Sequence, residues 1–239
     1  MDLWPVAIVL FASTLTRSTF GFGDALVSMP LLALFLPVSE VVSPLVAANS
    51  ITTSLLIVGQ DWRAINWRNL WRLILFAMLG IPVGMWWLEH ANEQMVKLIL
   101  GGVILGFALY SLIRPRLFLR SDSALWLFAF LSGVLGGAYN AFGPPLVIYG
   151  ALRRWGPQEF RSTMQGYILP LSVFILVSHF VRGFDGGQVS RCYLFSLSFS
   201  VIAVFIGRSI HARFEGEGFR KAIFVMLIAI AALLIVRSI

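Results

Sequence analysis

The chain has 239 residues, 59% of them hydrophobic and only 12% charged, with 20 Phe, 8 Trp and a net charge of +7. A soluble domain normally carries about a quarter charged residues, so this composition excludes a soluble fold and points to an all-α polytopic membrane bundle. Sixteen of the eighteen basic residues are Arg, placed between apolar runs, where they read as topology signals and headgroup contacts and not as a nucleic-acid patch.

Eight hydrophobic segments follow one another. The first, Leu3–Leu36, is broken by Gly21, Gly23 and Pro30, and the second, Val41–Gly59, is unusually polar, with Ser43, Asn49, Ser50, Thr52, Thr53 and Ser54. Next come Trp62-Arg63, Trp67-Arg68 and Trp71-Arg72, a repeated pair that reads as an interfacial belt. Leu73–Leu88 and Met95–Ile113 suit single crossings, and Ala124–Leu152 is broken again at Asn140 to Pro145. Thr163–Phe180, Cys192–Ile206 and Phe219–Val236 complete the series. Lone Cys192 excludes an internal disulfide and a Cys-x-x-Cys site, and Met1-Asp2-Leu3 lacks the basic start of a cleavable signal.

The two halves resemble each other. Pro30-Leu31-Leu32 matches Pro145-Leu146-Val147, and Gly84 followed by Val96-Lys97 matches Gly207 followed by Phe219-Arg220. The expected organisation is a first repeat over 1–113, a basic connection over 114–122 and a second repeat over 123–239. If all eight segments crossed once, the basic residues would divide nine to eight. If each broken segment instead returns to its own side, thirteen lie on one side, with only Lys97, Arg182, Arg191 and Arg237 on the other, a positive-inside signature. Ala124–Leu152 as one helix would also be about 43 Å long, beyond a hydrocarbon core of about 30 Å. Each repeat is therefore read as a re-entrant hairpin plus three crossings. The two copies are inverted and both termini lie outside. The charge count constrains the second hairpin; the first is inferred from the repeat.

Paired helix breaks inside a membrane point to a substrate site, because irregular backbone survives there only in a cavity or under protein cover. Gly143-Pro144-Pro145 and the stretch from Ser28 to Pro30 both read as helix starts, whose free N–H groups and positive dipole ends suit a small anion. Arg17 is the basic residue placed inside an apolar segment, at a cost of at least about 2.5–3.5 kcal/mol. It either meets an anionic substrate or Asp24, or it snorkels to headgroups. Asp24 pairs with it, caps the second half-helix or takes up a proton. The substrate-binding set is then Arg17, Gly21, Gly23, Asp24, Ser28, Asn49, Thr53, Asn140, Gly143 and Gln165. Asn49 and Thr53 share one helical face and Ser50 and Ser54 another, lining a path or bonding between helices. His179 beside Arg182 reads as interfacial. The Gly80/Gly84, Gly102/Gly106 and Gly133/Gly137 pairs read as close-packing faces. His-Glu-x-x-His, Gly-x-Ser-x-Gly and Walker signatures are missing, and His90, His179 and His211 do not suggest a metal centre, so no enzyme activity and no cofactor is expected.

On Gly21, Gly23, Pro30 and Leu31, then Gly136, Gly137, Gly143, Pro144 and Pro145, the chain resembles the TauE/SafE family of sulfite and organosulfur anion exporters. The resemblance covers nearly the whole chain. It departs where Asp24, Ala25, Asn140 and Phe142 stand at positions that tend to be glycine, putting side chains where backbone usually lies. The resemblance implies a cytoplasmic-membrane protein moving a small sulfur-containing or carboxylate anion without ATP, and the two inverted repeats are read as working by alternating access around the meeting point of the hairpins. An inside-negative potential of about 2.3 kcal/mol per charge per 100 mV already favours anion exit. The expected partners are the anion and the bilayer, with a homodimer left open. An anion channel, a membrane-embedded enzyme acting on lipid-linked phosphate and a non-transporting assembly partner are the alternatives.

Overall fold

The computed structural model describes residues 3–61, 65–113, 122–183 and 186–213, together with 225, 227–229, 231–232 and 235–236. The Trp62-Arg63 pair, the connection over 114–121 and most of the eighth segment lie outside the described residues. Among the described residues every regular element is helical. In chain order they are α1 (Trp4–Phe20), α2 (Asp24–Leu32), a π-helical turn (Val38–Val42), α3 (Ser43–Asp61), α4 (Trp67–His90) and α5 (Glu93–Ile113). A 3-10 turn (Asp122–Ala124), α6 (Leu125–Tyr139), α7 (Gly143–Leu152), α8 (Pro157–Val181) and α9 (Gly186–Arg213) follow.

Both breaks fall where the sequence places them. Gly21 adopts φ 86° and its N–H closes α1 on the Arg17 carbonyl at 2.7 Å; Gly23, at φ 102°, turns the chain into α2. These are left-handed conformations that glycine reaches without a Cβ penalty. At the second break Asn140 takes the same role at φ 53°, its N–H on the Gly136 carbonyl at 2.7 Å. Asparagine is one of the few other residues that tolerates this geometry. Pro144 and Pro145 then occupy the first turn of α7, where their missing N–H groups cost no helical bond.

The expectation that Pro30 opens the second half-helix is not met. α2 begins at Asp24, directly after Gly23, and Pro30 lies inside it. The positive φ at Gly23 sets the helix start, and Pro30 forfeits one backbone bond within the buried second half. Pro30 and Pro145 therefore hold different positions in their helices, the seventh of α2 and the third of α7.

At 1.5 Å per residue α2 and α7 are about 14 and 15 Å long, too short to span a bilayer. Five described helical stretches are long and apolar enough to cross: Val38–Val58, Trp67–His90, Asp122–Tyr139, Gln158–Val181 and Gly186–Ile210. On α4, the exposed residues Leu75, Phe76, Leu79, Val83 and Trp86 form one helical face of large apolar side chains, as a lipid-facing helix requires. Trp67 and Trp71 are more than half exposed, and the Arg72 guanidinium sits 5.7 Å from the Trp71 ring, as expected of an interfacial belt.

The long helices pack in three main pairs, α4 on α6, α1 on α9 and α3 on α8, while α1 packs on α2 and α6 on α7. The α4–α6 pair is the closest. A Cβ added to Gly84 would stand 2.0 Å from the Val134 carbonyl oxygen, and one added to Gly133 would stand 2.1 Å from that of Ala77. The reading of Gly80/Gly84 and Gly133/Gly137 as packing faces thus holds. At Gly102 and Gly106 an added Cβ meets nothing within 4 Å among the described residues. Two apolar cores result, one around α2, the π turn and α5, the other around α4, α7 and α8. Phe22, inside the first break, packs against both.

Candidate functional site

Arg17 sits one turn before the end of α1 with no solvent exposure. The headgroup-snorkelling reading is therefore excluded. All five N–H hydrogens of its guanidinium are used. Nη1 donates to Asp24 Oδ2 at 2.6 Å and to the Ser50 carbonyl at 3.3 Å. Nη2 donates to Gln165 Oε1 at 2.8 Å and to the Ser54 hydroxyl, and Nε donates to Gln165 Oε1 at 3.0 Å. Ser50 Oγ also donates to Asp24 Oδ2, at 2.6 Å. Four helices converge here: α1 supplies the cation, α2 its carboxylate, α3 two serines and α8 the glutamine.

Gln165 is more than a partner of Arg17. Its Nε2 donates to the Gly21 carbonyl at 2.7 Å, which fixes the orientation of the amide and ties α8 to the end of α1. A Cβ on Gly21 would meet the stem of Arg161 at 3.1 Å, so α8 presses directly on the first break. Such a network satisfies the buried charges: Arg17 and Asp24 cancel, and the remaining donors meet neutral oxygens. Among its partners Asp24 is the one carrying negative charge.

The two breaks touch. A Cβ on Gly143, the first residue of α7, would stand 3.2 Å from the Phe22 ring. Their chemistry differs, however. Arg17 lies four residues before the cap Gly21; the residue four before the cap Asn140 is Gly136, and the Phe142 ring fills the space where a Cβ on it would sit. Helix α2 begins with Asp24 where α7 begins with Gly143. The charged pair belongs to the first break, and the second is plugged by an aromatic ring. α7 is also the poorer donor of the two helix starts, since two of its first four positions are prolines without N–H groups.

The remaining predicted residues divide. Asn49 and Thr53 are buried but belong to a separate set of bonds: Asn49 Nδ2 donates to Thr14 at 2.9 Å, its Oδ1 accepts from Ser200 at 2.7 Å, and Thr53 donates to the Asn49 carbonyl. Ser28 donates to the Asp24 carbonyl at 2.8 Å, within α2. Asn140 stands in a second polar cluster, its Nδ2 donating to the Ser43 carbonyl at 3.0 Å and to Ser43 Oγ at 3.2 Å, while its Oδ1 is buried without a partner among the described residues. His179 joins this cluster through a 3.0 Å bond to Ser43 Oγ and is buried, which corrects its reading as an interfacial residue. Arg182 itself is the surface partner of Glu89.

Sequence spacing identified the face carrying Ser50 and Ser54 without showing that it, and not the face of Asn49 and Thr53, meets Arg17. Gln165 stood out in the sequence as a polar residue in an apolar segment. Its part in the network rests on a contact 148 residues away. Among the described residues, no group of His, Cys, Asp and Glu is placed to hold a metal ion.

Comparison with known proteins gives the family. A family model described as sulfite exporter TauE/SafE matches residues 6–234. A relative from Cupriavidus necator (strain ATCC 17699 / DSM 428 / KCTC 22496 / NCIMB 10442 / H16 / Stanier 337), named "Probable sulfite/organosulfonate exporter TauE", is 27% identical over 252 residues. The match covers all of this chain and 96% of that protein. No solved structure gives a significant match.

Proposed function

The chain belongs to the sulfite exporter TauE/SafE family, a family of transporters and not of enzymes, and on that premise we propose that it exports sulfite or a small organosulfonate across the cytoplasmic membrane by alternating access. The observation that carries the reading is Arg17: a buried guanidinium at a helix break, held by side chains from three other helices. A sulfite or sulfonate group presents oxygens in a geometry that the guanidinium fork binds through paired hydrogen bonds. The start of α2 adds amide groups that the helix leaves free and a positive dipole end. Arg17, Asp24, Gln165 and Gly21 form the centre of the proposed site, with Gly23 and Ser28 shaping the turn and α2. Asn49, Thr53, Asn140 and Gly143 stand around it as helix contacts.

Burial of the whole network fits an occluded state, which an alternating-access cycle passes through and an open pore does not require. The packing also supports two repeats. Exchanging α1 with α6, α4 with α9 and α3 with α8 leaves the set of main helix pairs unchanged. In this reading the repeats are inverted, α3 and α8 meet at the pseudo-twofold axis, both hairpins are re-entrant and both termini lie outside.

Reconstitution tests this. Purified protein in liposomes should show saturable uptake of labelled sulfite that is accelerated by unlabelled sulfite on the other side. Flux that is linear in concentration and indifferent to the opposite side would mean a channel, and flux no greater than in empty liposomes would remove the exporter reading.

A further inference from the structure

Every donor on Arg17 is already taken, so a substrate anion reaches the guanidinium only by displacing something. Gln165, Ser54 and the Ser50 carbonyl are neutral. Displacing any of them would leave the incoming anion beside the Asp24 carboxylate, two negative groups sharing one cation in a buried site, which the low dielectric disfavours strongly. Displacing Asp24 without neutralising it leaves the carboxylate buried and unpaired, which is disfavoured as well. The arrangement that leaves no surplus charge is the one in which Asp24 carries a proton while the anion holds Arg17.

The surroundings suit that change. Ser50 Oγ lies 2.6 Å from Asp24 Oδ2 and now donates to it. A hydroxyl rotates freely between donor and acceptor roles, so Ser50 accepts from the neutral acid as readily as it donates to the carboxylate. Asp24 is the one titratable residue of α2, and Arg17 that of α1. The neighbouring elements carry Glu40 in the π turn, Asp61 on α3, and Glu93, Lys97 and Tyr110 on α5. α8 adds Glu159, Tyr167, His179 and Arg161, whose stem lies against Gly21.

We propose that Asp24 is the proton carrier of the transport cycle: it takes a proton from water on the loading side as the anion takes Arg17, and returns it to water on the far side as the anion leaves. One proton then moves with each monoanion in the same direction. The loaded site (neutral Asp24, Arg17 cation, anion) and the empty site (Asp24–Arg17 pair) are both neutral, so the cycle is electroneutral. This rests on the exporter reading above and adds the coupling ion to it. The membrane potential then neither drives nor opposes export.

Methanesulfonate tests the idea, because it stays ionised and carries no proton of its own. In proteoliposomes with a pH dye inside, the wild type should move one proton with each methanesulfonate, at a rate unaffected by clamping the voltage at zero or at about 100 mV, inside negative. Asp24→Asn should lose net methanesulfonate flux by about tenfold more than it loses methanesulfonate/methanesulfonate exchange, because its loaded site is neutral while its empty site strands the Arg17 charge. Ser50→Ala, as a second variant, should slow net flux more than exchange in the same sense. Proton-free or voltage-driven flux by the wild type overturns the proposal, as does equal loss of flux and exchange in Asp24→Asn. Wild-type protein that shows neither flux nor exchange of methanesulfonate or sulfite overturns the exporter reading itself, whereas net methanesulfonate flux without proton movement overturns only the coupling.

Discussion

Nη1 of Arg17 lies 2.6 Å from Oδ2 of Asp24, across a break of only three residues, Gly21 to Gly23. The pair closes the turn between two helices and places a compensated charge inside an otherwise apolar bundle. Removing one member of a buried pair typically costs about 3–5 kcal/mol, since the other stays behind uncompensated. Arg17→Gln should therefore lower the melting temperature in detergent and abolish transport while the protein still inserts. Arg17→Lys should not restore transport, because an ammonium has three donors and no fork to reach Asp24, Ser54 and Gln165 together. Transport by Arg17→Lys at the wild-type rate contradicts this.

Gln165 is the link between α8 and the first break. Gln165→Leu removes the acceptor of two guanidinium N–H groups and the donor to the Gly21 carbonyl. Hydrogen bonds to charged groups contribute about 1.5–3 kcal/mol each, so a loss of at least that size is expected in thermal unfolding. Gln165→Glu should not recover this stability, since it sets a second carboxylate beside Asp24 on one guanidinium and turns an oxygen toward the Gly21 carbonyl. Wild-type stability of Gln165→Glu would contradict this account of the network.

Backbone geometry at the breaks separates side-chain from main-chain roles. Asn140→Gly keeps the left-handed turn and removes the bonds to Ser43, whereas Asn140→Ala removes both and adds strain of roughly 1–2 kcal/mol. Asn140→Ala should melt below Asn140→Gly by that margin. Equal melting temperatures would mean that the turn does not depend on Asn140 adopting φ 53°.

The α4–α6 interface leaves no room for a side chain at Gly133, so Gly133→Val should reduce folded yield far more than Gly102→Val, which faces open space among the described residues. Fluorescence-detected size exclusion of both variants checks the contrast.

Orientation of the second hairpin is open to labelling. Ser123 and Gln158 flank α6 and α7 and are both exposed. In a Cys192→Ala background, single cysteines at these two positions should react from the same side of the membrane. Labelling from opposite faces would mean that α6 and α7 together cross it.

Much of the fold was legible from the chain because glycine, proline and arginine are conspicuous in an apolar background. Both breaks, the polar character of α3 and the anomaly of Arg17 follow from residue type alone, and Asp24 was among the partners expected for Arg17. What spacing does not convey is which neighbour each helical face meets. Ser50 and Ser54 differ from Asn49 and Thr53 by one position, yet one face turns to Arg17 and the other to Thr14 and Ser200. His179 lies close to Arg182 in sequence, but its ring is drawn inward to Ser43, 136 residues away. Pro30 misleads because a proline is a familiar mark of a helix start, while the left-handed Gly23 seven residues earlier is what starts α2.

Equilibrium binding decides whether Arg17 is the anion-holding group of the transporter. Radiolabelled sulfite should bind saturably to the purified wild type, be displaced by methanesulfonate, and fail to bind Arg17→Gln that elutes as folded protein. Undiminished binding to folded Arg17→Gln would contradict the account and move the site elsewhere in the bundle.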